Sequence, residues 1–437
     1  MAFTEHPLRR ELVHEMHLRR FAPVEAPARI VQMVCLVDDS TREAENRHLE
    51  SPPGGQPNTV DRESRHAVYS FDGGVTFLWE RHTEATTITL IAPGRENERM
   101  DALAGWFGDW PGAVLRATKL FVEPSEAEAE ALLPDMGFES EDLVSCHVCS
   151  GVRVWSDFRI RKDGHGRLLI SAPDRQPDDL GRIVQRLQEL GNYRNLALVG
   201  LPQVQRLMPE LNTLENRLAA HAQALVDDAA GDDERLLGDL SKVSAELARL
   251  RAENSYRMSA SQAYAQIAAD RLEALDVEPI AGFQSLTDFT ERRLVPATRT
   301  IETFVGRLRR LSERSGDAIS LLNTRIDTRI KAQNLGLLKS MESSFNLQLR
   351  LQNLVEALSV IAASYYAVAL IAYMAKGAEA FGEGDMVDVA IGLATPLVIL
   401  TIFLLVSRIR HRFIRETEVA ASRSETGRAM NADEKGL

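Results

Sequence analysis

The sequence predicts an α+β domain followed by long, coiled-coil-like helices and a C-terminal hairpin of two transmembrane helices. Three observations predict it. Residues 29–172 contain several alternating, β-branched runs. From Pro296 onward apolar residues recur every three or four positions. Two uncharged apolar runs, 357–375 and 389–406, follow near the end of the chain. The expected units are a cytoplasmic α/β domain over 1–200, a helical pair over 201–280 and a stalk helix over 284–356. A transmembrane helix over 357–375, an outer loop over 376–388, a second transmembrane helix over 389–407 and a basic tail over 408–437 complete the order.

Within the first unit five stretches read as strands: 29–37, 74–81, 86–92, 113–122 and 152–160. Asp163-Gly164-His165-Gly166 reads as a turn that returns the chain through Arg167–Ser171 as a hairpin. Residues 42–64 are polar and rich in Pro and Gly toward their end, which predicts a long flexible loop; 97–108 predicts a short helix.

From Asp178 the apolar spacing turns helical. Pro202 marks a new helix, since the N–H that proline lacks has no partner in a first turn anyway. Helices over 203–229 and 233–275, broken at Ala-Ala-Gly-Asp-Asp-Glu, predict an antiparallel pair. Beyond Pro296, Ile301, Phe304, Leu308, Leu311, Ile319, Leu322, Ile326, Ile330, Leu337, Met341 and Phe345 form a coiled-coil-like seam. No helix breaker separates it from the first apolar run, so one helix is expected over 297–375. A seam running into an Ala-rich span predicts a homo-oligomer.

Each apolar run has the length that crosses ~30 Å of hydrocarbon as a helix. Arg408, Arg410, His411, Arg412 and Arg415 follow the second run. The loop between the runs holds Lys376 against Glu379, Glu383, Asp385 and Asp388. Positive charge stays inside, so both the C-terminal tail and the N-terminal part are expected in the cytoplasm, with the lipid bilayer as the first partner. Pro396 predicts a kink or a packing contact in the second span. The first residues carry no apolar core of signal-peptide length.

The net charge of -12 excludes general nucleic-acid binding, which needs Lys and Arg to neutralise phosphates. Three cysteines, Cys35, Cys146 and Cys149, make no disulfide framework and suit a reducing compartment. There is no phosphate loop, dinucleotide fingerprint, nucleophile elbow or zinc-protease motif, so neither a cofactor nor an enzyme is expected. Cys146-His147-Val148-Cys149 reads as core strand, and His14 and His17 as solvated side chains, rather than as metal ligands. Two polar runs stand out: Glu80, Arg81, His82 and Glu84 at one strand end, and Asp157 and Arg159 at another. They read either as a ligand site or as Arg–carboxylate pairs that fix orientation.

The chain resembles a bacterial family of unknown function described as predicted membrane-anchored proteins. Carrying the resemblance are HPLRRELVHEMH at 6–17, WERHTE at 79–84, SDFRI at 156–160 and GRIVQRLQELGNYRNLALVGLP at 181–202. TRIDTRIKAQNLGLLKSM at 324–341 and LQLRLQNLVEALSVIAASYY at 347–366 extend it over nearly the whole length. The family continues its first motif with Ala-Arg-Pro, where this chain has Leu18-Arg19-Arg20. The resemblance implies attachment to the bacterial inner membrane and supplies no catalytic residues.

The order of parts is also similar to that of CorA-type divalent-cation channels. Their Gly-Met-Asn motif at the end of the first span is absent; Tyr373-Met374-Ala375-Lys376-Gly377 stands there. Two readings result. One is an oligomeric membrane-anchored sensor or scaffold with a cytoplasmic binding domain. The other is an ion channel or transporter, with Asn353, Ala357, Val360, Ser364, Val368, Ile371 and Ala375 lining the pore at helical period.

Overall fold

The computed structural model describes residues 4–10, 12–13, 22–54, 65–226, 232–379, 395–405 and 407–408. They divide into two units, Met1–Asn323 and Thr324–Leu437.

The first unit is built on nine strands: β1 Ala28–Leu36, β2 His66–Ser70, β3 Thr76–Arg81, β4 Ala85–Pro93, β5 Ala113–Glu123, β6 Val144–Val148, β7 Val152–Ser156, β8 Gly166–Ser171 and β9 Glu278–Pro279. They form one mixed sheet in the order β2-β3-β4-β1-β5-β8-β7-β6-β9. Its α-helices are α1 Asp39–Leu49, α2 Glu98–Gly108, α3 Glu126–Met136, α4 Pro177–Leu198, α5 Gly200–Val226, α6 Asp233–Glu273 and the start of α7, Leu286–Glu379.

Strand alternation assigns the two faces. Ile30, paired with Ile91 and Leu120, turns toward α4, whose Leu180, Ile183, Val184, Leu187 and Leu190 form one apolar stripe. Ala265 and Ala268 of α6 and Leu286, Phe289 and Leu294 of α7 close this layer. On the other face Leu49, Leu103, Phe107 and Trp110 cover Phe77, Trp79 and Ile88. Ala129 and Met136 of α3 cover Trp155 and Leu169.

Most predicted elements are present within a few residues of their expected limits; the short strands β2 and β9 are additions, and three further differences follow. Residues 42–49 are helix, not loop. Asp38 caps α1 through a capping box: its carboxylate accepts from the Thr41 N–H at 2.9 Å, and its own N–H donates to Thr41 Oγ1 at 2.8 Å. The rest of that expected loop, 55–64, lies outside the described residues. The strand expected over 152–160 stops at Ser156, because Phe158 takes a left-handed φ of 53° that no strand accommodates. Finally, α3 forms although its apolar pattern is thin and Pro134 lies inside it; Ser125 caps it by accepting from Glu128 N–H at 3.3 Å.

The expected antiparallel pair is α5 and α6, joined by Gln203 to Asn254 at 2.6 Å and Arg217 to Glu246 at 2.9 Å. Helix α7 starts ahead of Pro296, at a reciprocal cap between Ser285 and Asp288. The expected seam divides in two. Ile301, Phe304, Leu308, Leu311 and Leu322 are buried within the first unit, where Arg307 also donates to Asn212 of α5 at 2.8 Å.

In the second unit Ile330, Leu337, Met341 and Phe345 are exposed. Here α7 contains the one stretch among the described residues long and apolar enough to cross a membrane, with mean hydropathy 1.9 and only 6% of it buried. A shorter apolar helix, α8, covers Thr395–Leu405. The expected outer loop beyond Glu379, the residues before Thr395 that would define a kink at Pro396, and the basic tail from 409 lie outside the described residues.

Candidate functional site

The register that pairs Arg116 of β5 with Val34 of β1 places Arg116 on the face beneath α4. It donates to three neutral amide oxygens: Asn192 Oδ1 at 2.8 Å, Gln188 Oε1 at 2.8 Å and Gln32 Oε1 at 3.2 Å. No carboxylate meets it among the described residues. Room for it comes from Gly191, where an added Cβ would sit 2.7 Å from Nη2. Burial, and then the nearby Arg194, push its guanidinium down to about 9.

Arg194 follows Gly191 by three positions, on the same face of α4. It is 8% exposed. Its guanidinium carbon lies 4.5 Å from the ring centre of Phe158 and 5.0 Å from that of Phe289, two rings stacked at 4.2 Å. Stacking on aromatic faces holds the cation without satisfying its N–H groups: Nη1 is buried and has no hydrogen-bond partner among the described residues. Burial, and then Arg293 of α7, push it down to about 10. Both arginines remain cations at neutral pH.

A cavity of about 360 Å³ opens beside them. Leu115, Leu187, Leu190, Phe158 and Ile160 give it apolar walls, and Leu286 from the first turn of α7 contributes to one side. Among the described residues no Asp or Glu borders it. Arg167 also borders it, but its guanidinium donates to the carbonyls of Asp135 and Met136. Phe158 is held in its left-handed conformation by a relay: its N–H donates to Ser156 Oγ at 3.1 Å, and that hydroxyl donates to the Arg167 carbonyl at 2.7 Å. Such a backbone costs about 1–3 kcal/mol and recurs at ligand sites.

The two polar runs singled out from sequence are not brought together. They lie at the ends of β3 and β7, strands five positions apart in the sheet, or ~24 Å at ~4.8 Å per strand. Arg81 donates twice to the buried Glu45 of α1, and Glu84 pairs with Arg257 of α6 at 2.7 Å. Glu80 and His82 border small polar spaces under α4, and His82 with Arg42, Arg81, Tyr193 and Tyr264 borders a second cavity of about 450 Å³. Asp157 accepts from the Glu139 N–H at 3.0 Å and pairs with Arg161, while Arg159 pairs with Asp142. The second run thus meets the cavity through its alternate residues, Ser156 and Phe158.

Arg116, Arg194 and Phe289 are missed by sequence reasoning. The available signal is Gly191, a glycine inside an amphipathic helix, which marks a close approach. The pore positions lie in the second unit. Val360, Ser364 and Val368 fall on the less exposed face of α7, and Ser364 donates to the Val360 carbonyl at 2.7 Å; Asn353 and Ile371 are exposed. Among the described residues no group of three or more His, Cys, Asp or Glu could hold a metal ion.

The family described as "Protein of unknown function (DUF3422)" matches residues 4–413. The chain belongs to this family. The match spans the sheet, the Arg116 and Arg194 cavity and both apolar stretches, so all of them are family territory. No curated protein matches the chain at a significant level.

Proposed function

We propose that this chain is a membrane-anchored binding protein, a sensor or scaffold that takes a small ligand in the cavity beneath α4 and works as a homo-oligomer. In this reading a hairpin of transmembrane helices, 357–375 and 389–407, holds it in the bacterial inner membrane. Both ends of the chain face the cytoplasm. The observation that carries the reading is the double role of α7. Leu286 borders the cavity and Phe289 stacks on Phe158, and the same helix, Leu286–Glu379, contains the membrane-length apolar stretch. A ligand against Phe158 and Arg194 therefore acts on the helix that serves as the anchor. The exposed Leu354, Leu358, Ile361, Leu370 and Tyr373 support lipid contact, and the exposed Leu337, Met341 and Phe345 support contact with a second copy.

Carbonate extraction of membranes containing the full chain tests the anchor. The protein is expected in the pellet; release into the supernatant overturns the reading. Light scattering in detergent is expected to give a dimer or larger. A pentamer that conducts ions would replace this reading with the channel.

A further inference from the structure

We infer that the cavity beneath α4 is an oxyanion site for a small organic acid, with Arg116 and Arg194 receiving the acid group and the apolar walls receiving its body; this rests on the reading of the cavity as a ligand site.

Charge carries the first half of the inference. In a chain of net charge -12, three arginines border a cavity with no bordering carboxylate among the described residues, and of the three it is Arg167 whose guanidinium donates to backbone carbonyls. Four other largely buried arginine side chains of this domain have acidic partners: Arg29 with Glu123, Arg81 with Glu45, Arg153 with Glu126 and Arg161 with Asp157. A buried cation without a counter-charge is costly unless something supplies one. Among the described residues Arg116 meets amide oxygens and Arg194 aromatic faces. Among them, too, Nη1 of Arg194 is a buried donor without an acceptor. A guanidinium fork matches the oxygens of a carboxylate or a phosphate.

Shape carries the second half. About 360 Å³ lies in the range of small-molecule sites and exceeds what a bare inorganic anion fills. Leu115, Leu187, Leu190 and Ile160 offer the remainder of the ligand no hydrogen bond. The acid group belongs at Arg194 and Arg116, and the apolar body against the leucines and the Phe158 ring. Gly191 sets the position of Arg116, so the site depends on a residue with no polar atom of its own side chain.

The test uses the full chain in neutral detergent, titrated calorimetrically with benzoate, with benzamide and with inorganic phosphate. Benzoate is expected to bind, benzamide to bind at least tenfold more weakly, and phosphate more weakly than benzoate. Arg194→Gln is expected to weaken benzoate by about 10- to 100-fold, the loss of one charge-assisted pair. Arg235→Gln, at an exposed side chain that pairs with Asp232, is expected to leave it unchanged. Gly191→Ala keeps both charges and displaces the Arg116 guanidinium, so it is expected to weaken benzoate even if Arg194→Gln does not fold.

Equal binding of benzamide, or full affinity in both site variants, overturns the inference. Phosphate as tight as benzoate overturns the apolar-body half, and failure of both anions overturns the whole. A chain that stays in the carbonate pellet but binds neither anion loses this inference and keeps its anchor; one that binds benzoate but leaves the membrane loses the anchor alone.

Discussion

Glu84, at the turn between β3 and β4, accepts a hydrogen bond from Arg257 of α6 at 2.8 Å, 173 residues further along the chain. The carboxylate is 8% exposed, and the Tyr264 hydroxyl, also bonded to it, is raised by burial and then by the Glu84 charge. This pair pins the helical layer to the sheet.

Glu84→Ala leaves Arg257 facing a buried space. Breaking a fully buried pair costs about 3–5 kcal/mol; the Arg257 side chain retains 23% exposure, so about 2 kcal/mol is expected. Chemical denaturation of the variant reads it as a lower midpoint with an unchanged slope.

Arg194→Met removes an uncompensated cation and keeps an adaptable apolar side chain between Phe158 and Phe289. The unliganded protein is expected to melt no lower than the parent, while the stabilisation conferred by benzoate disappears. A large fall in melting temperature without ligand would show that Arg194 serves the fold instead.

The organic acid should bind with nearly constant affinity from pH 6 to 8. Burial comes first in lowering Arg116 to about 9 and Arg194 to about 10; Arg194 and Arg293 are the respective neighbouring cations that add to it. Affinity should fall above pH 9, as the folded protein begins to lose the receiving charge. Stability of the unliganded protein takes the opposite sign. Between the folded value and the higher unfolded one the unfolded chain holds more protons, so stability rises with pH across that window. Calorimetry at pH 6, 7, 8 and 9.5 checks the first claim.

Asp38 is lowered to about 2, first by the Ser40 hydroxyl and then by the Thr41 N–H and hydroxyl. A carboxylate depressed on folding adds stability above its ordinary value, and that stability is lost as pH falls through the folded one. Hydrogen exchange in α1 should therefore quicken between pH 4 and pH 2 relative to α4. Asp38→Ala should bring the same loosening at neutral pH.

Period and propensity made the strands and the long helices legible. β1 and β4 are runs rich in Ile, Val and Thr, and α4 repeats its leucines at helical spacing. Helix α1 escaped because, Leu49 apart, the residue it buries most deeply on the sheet side is a charge. Glu45 meets Arg81 and Trp110, and no apolar periodicity records that. The polar runs at 79–84 and 156–159 were visible, but their partners lie in α1, α6 and the loop near Asp142, contacts that only the tertiary fold defines. For the cavity the barrier was sharper. Arg116 is one basic residue in a strand and Arg194 one in a helix, and being without a carboxylate is a property of the neighbourhood, not of the residue. Gly191 alone left a trace in the sequence.

β5 and β8 are the one parallel pair among the named strands of the described residues. Antiparallel neighbours such as β3 and β4 or β6 and β7 zip from a nearby turn, but this join needs the chain to leave Glu123, build α3, β6 and β7, and return in the same direction. Loop-closure entropy is one cost of that seam, where Leu120 meets Leu168. Such non-local pairing is slow to form, because the closure precedes the contacts that reward it. Arg116 lies on one side of that join and Phe158 on the other, so the cavity exists only once the seam has closed.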